Sequence, residues 1–537
     1  MRIVYFKNGV KHSTNKNNQD ISFSEVREGN HTTIKLLAGE EITLAKAYLD
    51  FPAHINYKDL YFLNGYQSWT DTKEYKLAAQ LRDIRKSPHI ITSMFALDKY
   101  GDSNFYNYSI RKSHGLDVFY SKGKYESFIY NLNYKTAYLI IELIKDRSSI
   151  RLISEVQGLK VKKGEEITLF DYCFFDNFLE GLNSFWDAFP IRNVKKVLGY
   201  TSWYNYYQNI NEEIICRDLD ALDSRFDIFQ IDDGYETFVG DWLDVDPAKF
   251  PNGLKPIIDK IHSKGFKAGL WLAPFAAETN SKLFKEHQDW LRKDKKGKPI
   301  KAGGNWSGFY ALDLDNPEVV DYIKKCLTHY MDMGVDFFKL DFLYAAALPP
   351  IKEGKTRCQV QDEAYKLLRE TLKNKIILGC GANIINSFEH FDYLRIGPDV
   401  SLEYDDVFYM RLFHRERIST KITLQNTIYR SFMNNHLFGN DPDVFLLRDE
   451  NIKLSKEQRE ALTKLNALFG SVLFTSDNIA TYDEEKKKTF DEALNIFYNA
   501  HNRRYITKGN IIDITYELYG KPQHLIYDIK KGVFVNE

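Results

Sequence analysis

The chain has 537 residues, a formal net charge of −1 and 44% hydrophobic residues, with 15% aromatics. A chain of this length exceeds one ordinary domain and can bury a large core. Its nearly neutral charge gives no electrostatic basis for binding nucleic acid or an anionic membrane. We therefore expect several domains and an uncharged partner, and the sequence leaves the oligomeric state unknown.

The five cysteines are scattered along the chain, and none belongs to a Cys-x-x-Cys pair. This usage argues against a disulfide framework or a zinc site and favours a reducing compartment. The first residues lack the apolar segment of a signal peptide, and no stretch approaches the roughly 18 apolar residues that span a membrane. These observations predict a soluble, cytoplasmic protein without membrane contact.

Residues 1–190 contain short runs in which apolar and polar residues alternate, for example at 32–36 and 137–141. Alternation with a period of two is typical of strands that bury one face, so this region predicts an antiparallel β-sandwich. Within it, the sequence NGYQSWT at 64–70 joins a turn signal to aromatics and amides. The sequence leaves open whether this stretch is a plain hairpin or a loop that reaches a site in the neighbouring domain.

Residues 191–500 show a different pattern, in which short apolar strands alternate with longer segments of helical period. Eight such units predict an α/β fold of the (β/α)8 TIM-barrel type. Residues 501–537 alternate again and predict a small C-terminal β-sheet. The predicted barrel strands are 197–203, 227–233, 267–275, 336–342, 376–381, 393–399, 436–443 and 471–477, and the predicted helices include 254–263, 317–333, 357–372, 455–468 and 484–498.

Charged residues stand at the carboxyl ends of several predicted barrel strands. Lys339 and Asp341 lie two residues apart, so their side chains project from the same face of strand four. A buried structural ion pair is the competing interpretation of these two residues, although such a pair stabilises little. The charged residues at the strand ends are Asp232, Asp233, Lys339, Asp341, Arg395 and Asp399, and the nearby tryptophans are Trp203, Trp242, Trp271 and Trp306.

Two carboxyl groups on either side of a glycosidic bond are what glycoside hydrolysis requires. One is ionised and the other protonated, and their mutual repulsion helps to separate the two pKa values. The same carboxylates could bind a hard cation, but Lys339 and Arg395 already supply the counter-charge. No metalloprotease, serine-hydrolase, Walker A or dinucleotide motif is present, so we expect no metal and no cofactor.

Six motifs resemble glycoside hydrolase family 36 in its compact microbial form. The family contains retaining α-galactosidases and α-N-acetylgalactosaminidases, and the resemblance spans the whole barrel and, more weakly, the N-terminal region. Each motif alone is weakly specific, and together they are highly specific. They are IDDGY at 231–235, KFPNGLK at 249–255, GLWLAPF at 269–275, FKLD at 338–341, GCG at 379–381 and RIGPD at 395–399.

The resemblance implies a retaining exo-α-galactosidase in which Asp341 is the nucleophile and Asp399 the general acid/base. Its partner would be an oligosaccharide with a terminal α-linked galactose. From the N-terminal region the family brings an aromatic side chain to the site, and here either Tyr66 or Trp69 fills that role. The implied substrate-binding residues are Asp232, Asp233, Lys339, Arg395, Trp203, Trp271, Cys380 and Trp69.

Three alternatives remain open at this point. The same residues suit an α-N-acetylgalactosaminidase or an α-galactosyl transferase, because these reactions share the nucleophile and the acid. A sugar-binding protein on a retired enzyme scaffold is the alternative from another class. The natural oligosaccharide and its linkage do not follow from the sequence.

Overall fold

The computed structural model describes residues 1–79, 81, 92, 96–101, 112–405 and 415–535. The first 175 residues contribute strands to two antiparallel sheets of seven strands each. In spatial order the first sheet contains Val10–Thr14, Arg2–Lys7, Ile42–Pro52, Ser149–Ser154, Leu139–Ile144 and Lys112–Leu116, with Lys160–Val161 paired to Ile42–Pro52. The second contains Ile21–Glu28, His31–Ala38, Glu166–Phe175, Ser127–Asn131, Val118–Lys122, Leu60–Leu63 and Glu74–Lys76.

The two sheets bury their inner faces in one hydrophobic core, which confirms the predicted sandwich. Strand His31–Ala38 shows how the sequence forms this core. Ile34 and Leu36 are buried, while the alternate residues Lys35 and Leu37 are exposed. Residues of the other sheet, such as Ile141, join the same cluster. The period-two pattern therefore marks the buried face correctly.

The barrel is a single parallel sheet that closes on itself, as predicted. Its seventh strand is broken: Gly439–Asp441 pairs with strand six, and Val444–Phe445 pairs with strand eight. Strand eight pairs in turn with strand one, which completes the ring. The other strands, numbered from one, are Val197–Thr201, Ile228–Ile231, Lys267–Leu272, Phe337–Leu340, Ile376–Gly379, Tyr393–Arg395 and, as strand eight, Val472–Thr475.

Helices cover the outside of the barrel, and their ends follow capping residues. Arg357–Leu372 begins after Thr356, whose side chain forms a capping box with Gln359, and Pro317–Met333 ends at Gly334, where φ is 113°. Both helices have the predicted bounds. In the part of the chain that the structure describes, the α-helices are Leu97–Tyr100, Phe178–Ala188, Trp203–Tyr206, Glu212–Ala221, Lys255–Ser263, Lys282–Glu286, Pro317–Met333, Arg357–Leu372, Thr420–Tyr429, Lys456–Phe469 and Glu484–Asn499, and short 3-10 helices occupy Leu343–Ala347, Ile385–Ser387, Ser431–Met433 and Ile479–Thr481.

Several predicted strands are longer than the observed ones. The first was predicted over 197–203, but it ends at Thr201 and Trp203 begins a short helix. Apolar and aromatic residues continue past the last paired residue because they line a cavity above the barrel, so hydrophobicity alone does not mark the strand end.

Two smaller sheets complete the fold. The long connection after barrel strand three forms a three-stranded sheet from Ala276–Glu278, Phe309–Ala311 and Lys301–Gly303. The predicted C-terminal sheet has four strands, Ala500–Lys508, Ile511–Leu518, Lys521–Asp528 and Val533–Val535. The division of the chain into domains at residues 190 and 500 stays a prediction. No helix in the described part of the chain is both long and apolar enough to cross a membrane.

Candidate active site

A cavity of about 230 Å³ lies at the carboxyl ends of the barrel strands and collects most of the predicted site residues. Arg395 and Cys380 do not line it and lie buried behind its wall. The predicted residues that line the cavity are Trp69, Trp203, Asp232, Asp233, Trp271, Lys339, Asp341 and Asp399. The carboxyl ends of these strands therefore converge as the fold requires.

Asp341 follows barrel strand four and is held by two donors. The indole N–H of Trp271 donates to its Oδ2 at 3.1 Å, and the backbone N–H of Phe342 donates to its Oδ1 at 2.7 Å. Burial raises the pKa of Asp341; the Lys339 ammonium opposes this rise and the Asp399 carboxylate adds to it. The two aspartates therefore interact electrostatically across the cavity.

Asp399 lies in the loop after barrel strand six, four residues beyond Arg395. The Arg395 Nη1 donates to Asp399 Oδ1 at 3.0 Å. The Asp399 side chain is 32% exposed while that of Arg395 is 3% exposed. A partly exposed carboxyl on a buried guanidinium is fixed in direction and still accessible to a ligand and to water.

Lys339 and Asp232 form a buried ion pair, with Nζ and Oδ2 2.8 Å apart. Neutral groups complete the shell, since the Gln230 amide donates to the same oxygen at 2.6 Å and the Thr201 hydroxyl at 3.1 Å. Burial opposes the charge of Lys339, but the Asp232 carboxylate outweighs it and the pKa of Lys339 is raised. Lys339 therefore stays charged in the pocket wall.

Asp233 turns to the other side of the same loop. The Trp306 indole N–H donates to its Oδ2 at 2.8 Å, and the Gln208 amide donates to its Oδ1 at 3.0 Å. Burial raises the pKa of Asp233, and hydrogen bonds from Glu236, Gln208 and Trp306 oppose that rise. Burial and the Asp233 charge raise the pKa of Glu236 well above its usual range, so Glu236 favours its protonated form.

The stretch 64–70 is a loop that reaches the barrel. The backbone N–H of Ser68 donates to the Ala382 carbonyl at 2.9 Å. Trp69 lines the cavity, and its indole N–H donates to the Cys380 Sγ at 3.4 Å. Tyr66 instead packs beneath Arg357, whose guanidinium carbon lies 4.3 Å from its ring centre. Of the two candidates, Trp69 reaches the site and Tyr66 belongs to the core.

Tryptophans form one wall of the cavity. The Trp271 and Trp306 rings lie 6.0 Å apart, and Trp242 packs behind Trp271 at 5.8 Å. Several other lining residues were not predicted; most lie in insertions and loops where no periodic pattern signals a site, and Phe342 and Pro398 lie in predicted strands but carry no charge to mark them. They are Leu97, Tyr100, Asn305, Phe342, Pro398, Glu416, Arg417 and Ile418.

Two acidic residues at the broken seventh strand were not predicted from the sequence. Asp441 Oδ2 lies 3.0 Å from Arg395 Nε, and Asp443 Oδ1 lies 2.8 Å from Arg395 Nη2. The available signal was an Asp-Pro-Asp sequence at the end of a predicted barrel strand, the same place that holds the other site carboxylates. Among the described residues, no group of three or more His, Cys, Asp and Glu side chains could hold a metal ion.

Segments of the chain are similar in sequence to known α-galactosidases and to a galactosaminidase. The Melibiase family model matches residues 192–369. The α-galactosidase Mel36A of Lactobacillus acidophilus is 32% identical over 173 residues, which cover 30% of this chain and 23% of that protein. The A type blood α-D-galactosamine galactosaminidase of Flavonifractor plautii is 31% identical over 161 residues, 28% of this chain and 14% of that protein. The matched segments thus span a quarter or less of these relatives.

Solved structures match over nearly the full chain. The α-galactosidase TtGalA of Thermus thermophilus, in complex with p-nitrophenyl α-D-galactopyranoside, has a TM-score of 0.71 and 25% identity, covering 96% of this chain and 97% of that one. The (β/α)8 barrel and its carboxylate-lined cavity make the chain similar to proteins of the glycoside hydrolase class. Within that class, the matches confirm the resemblance to the α-galactosidases of glycoside hydrolase family 36.

Proposed function

We propose that the protein is a retaining exo-α-galactosidase that removes terminal α-linked galactose from oligosaccharides. The observation that carries this proposal is the pair Asp341 and Asp399, whose side chains line one small cavity at the carboxyl ends of the barrel strands. The relatives support the substrate class, since TtGalA is described in complex with an aryl α-galactoside and with stachyose. A cavity of about 230 Å³ suits one sugar ring better than a chain segment, which supports attack at the terminal unit.

The reaction proceeds in two displacements. Asp399 gives its proton to the glycosidic oxygen as that bond to the anomeric carbon breaks, and Asp341 Oδ forms a bond to the same carbon from the opposite face. Asp399, now a carboxylate, then takes a proton from water, whose oxygen displaces Asp341. Two inversions give net retention, and the products are galactose and the shortened oligosaccharide.

The surroundings of Asp341 suit a nucleophile. Trp271 and the Phe342 backbone hold its two oxygens, so the carboxylate is oriented before substrate arrives. Lys339 counters the burial that raises the pKa of Asp341, which preserves an ionised fraction. In our proposal a bound sugar excludes water further and strengthens this ion–ion interaction.

In this proposal, the cavity wall formed by barrel strands two and four binds the sugar. We assign hydroxyl binding to Asp232, Asp233 and Lys339, whose charged groups form strong, directional hydrogen bonds. Trp69, Trp203 and Trp271 offer apolar faces to the ring. Arg395 and Cys380 lie behind the lining, so their contribution is to hold Asp399 and to support Asp341 and Trp69.

An α-N-acetylgalactosaminidase is the second candidate. The similarity to the galactosaminidase of Flavonifractor plautii supports it, at 31% identity over 161 residues. The two activities differ at the sugar 2-position, so rates on aryl α-galactoside and on its 2-acetamido analogue decide between them. A large excess of activity on the 2-acetamido compound would replace our first assignment.

We also propose that the protein works in the cytoplasm. All five cysteines are free thiols, which is usual where thiols are kept reduced. Fractionation of the source cells with an antibody to the chain tests this assignment, and recovery outside the cytoplasmic fraction would contradict it.

The test of the mechanism is azide rescue. Asp341→Gly removes the nucleophile and leaves space on the face opposite the leaving group, so azide enters there and an α-galactoside yields the β-galactosyl azide. The rate rises with azide concentration from a background that is lower by several orders of magnitude.

The matched variant is Asp399→Gly, which keeps the nucleophile. Aryl substrates with good leaving groups still form the galactosyl-enzyme, and azide then attacks it to give the α-galactosyl azide. The anomeric form of each azide is read by nuclear magnetic resonance. The α product from the Asp341 variant, or the β product from the Asp399 variant, would mean that the two roles are reversed.

A further inference from the structure

One guanidinium behind the cavity wall contacts three carboxylates. Arg395 contacts Asp399 at 3.0 Å, Asp441 at 3.0 Å and Asp443 at 2.8 Å. The side chains of Asp441 and Asp443 are 3% and 0% exposed, so water does not screen them. One positive charge cannot balance three negative charges, and since two of the three carboxyls are buried, protonation of a buried one is favoured.

Asp443 is the member held least firmly as a carboxylate. Asp441 accepts hydrogen bonds from Arg395 Nε and from the Asp443 backbone N–H, at 3.0 and 2.9 Å. Asp443 Oδ2 accepts from the Val400 backbone N–H at 2.7 Å, but its Oδ1 has no aligned donor in the described structure despite its short contact with Arg395. Burial raises the pKa of Asp443 to about 7; Arg395 and Tyr204 oppose this rise, and Asp399 and Asp441 add to it.

The backbone at Asp443 is also unusual. Its φ is 74°, in the left-handed region that side chains other than glycine rarely adopt, and it sits in the break of barrel strand seven. Such strain is retained where the surrounding structure imposes it, commonly at functional sites. At the break in strand seven, the buried Asp443 side chain points toward Arg395, and Arg395 also holds Asp399.

We propose that Asp443 is a positioning residue that, by gaining or losing a proton, sets how strongly Arg395 holds the negative charge of Asp399. This inference rests on the proposed role of Asp399 as general acid/base. When Asp443 carries a proton, Arg395 favours the Asp399 carboxylate. When Asp443 is ionised, it shares Arg395 and repels Asp399, so Asp399 keeps its proton more readily.

The charged and titratable groups around Asp443 come from three parts of the barrel. They are Arg395 and Asp399 from strand six and its loop, Asp441 from strand seven, and Tyr204 from the short helix after strand one. Ionisation of Asp443 as the pH rises through neutrality extends the range in which Asp399 can act as an acid. The alkaline limit of activity therefore depends on a residue that does not line the cavity.

The test is Asp443→Asn, because asparagine has nearly the same shape, stays neutral and tolerates positive φ. With Asp443 permanently neutral, Asp399 loses its proton more easily. We expect the alkaline limb of kcat/KM for methyl α-galactoside, a poor leaving group, to move down by roughly one pH unit. The limb for dinitrophenyl α-galactoside, which departs without acid help, stays in place. A uniform loss of rate with unchanged limbs would show a merely structural role and overturn the proposal.

An infrared titration separates this proposal from the proposed function. We expect the difference spectrum between the wild type and Asp443→Asn to contain a buried carboxylic acid band that disappears with a midpoint at pH about 7. The difference is needed because burial also raises the pKa of Asp117 to about 7. Absence of the band from the difference spectrum would refute the titration of Asp443 whatever the enzyme activity. A clear band without hydrolysis of any α-galactoside would instead refute the proposed function.

Tyr204→Phe provides a second variant if Asp443→Asn does not fold. It removes a hydroxyl that favours the ionised form of Asp443, so the midpoint of the band rises and the alkaline limb for methyl α-galactoside moves down. An unchanged midpoint would contradict the proposed network.

Discussion

The two sides of the cavity handle buried charge in opposite ways. On the side of barrel strands two and four, Lys339 faces Asp232, and neutral donors from Gln230 and Thr201 complete the shell. On the side of strands six and seven, one guanidinium meets three carboxylates. A balanced pair keeps its charges fixed, which suits recognition of hydroxyl groups. An unbalanced cluster sits close to a protonation change, which suits proton transfer.

Removing the cation of the unbalanced side should have the largest effect. Arg395→Met leaves Asp399, Asp441 and Asp443 without a counter-charge, two of them fully buried. We expect a loss of at least the roughly 3–5 kcal/mol that accompanies one broken buried pair. Urea unfolding followed by circular dichroism measures it. Arg395→Lys keeps the charge without the planar fork and should lose less, and equal losses in both variants would argue against charge balance as the cause.

Removing the cation of the balanced side tests the paired arrangement. Lys339→Met leaves one buried carboxylate, so we expect a loss of roughly 3–5 kcal/mol in the free energy of unfolding. Adding Asp232→Asn to this variant removes the orphaned charge and should restore part of the stability. Additive losses in the double variant would show that the two residues do not interact as a pair.

The pH dependence of stability should expose the unbalanced side directly. An unfolded aspartate releases its proton at a pKa near 4, whereas Asp443 in the fold does so at about 7. Between these values the folded state binds more protons, so stability falls as the pH rises. For Asp443 alone this fall is on the order of 4 kcal/mol. Asp443→Asn should flatten the stability curve between pH 4 and 7, and an unchanged slope would refute the shift.

A smaller effect is expected at Asp233. Asp233→Asn loses a charged acceptor for a sugar hydroxyl, which corresponds to roughly 1.5–3 kcal/mol or a 10- to 150-fold fall in kcat/KM on α-galactosides. Glu236→Gln is the matched control, because it changes a buried neighbour by the same acid-to-amide substitution and leaves the Asp233 carboxylate in place. Rates on aryl α-galactoside and aryl α-glucoside measure the selectivity, and a ratio unchanged by Asp233→Asn would show that this residue does not read the sugar.

The sequence predicts repeating elements well because their physical signals are local. Helix Arg357–Leu372 has its predicted bounds, since Thr356 and Gln359 form the capping box that starts it. The six charged residues at strand ends were found for a similar reason, because a polar residue ending an apolar run is visible in the chain itself.

Signals that depend on tertiary contacts were not accessible. Whether Tyr66 or Trp69 reaches the site is decided by contacts with residues 380–383, more than 300 positions away. Asp441 and Asp443 end a segment that was predicted as a strand, but their contacts with Arg395, more than 40 positions away, are not visible in the sequence. The cavity-lining residues that lie in insertions belong to segments without hydrophobic periodicity, so no sequence pattern marks them as site residues.

The contact between Trp69 and Cys380 bears on how such a gene can change. Trp69 lines the cavity but is encoded about 130 codons before the first barrel strand. The neighbouring Ser68 N–H donates to a backbone carbonyl in the loop after strand five and so fixes the position of Trp69. Recombination that exchanged the barrel alone would therefore deliver an incomplete pocket. We expect the N-terminal β-sandwich and the barrel to be inherited together. The contacts that tie them at this site lie in the loop after barrel strand five.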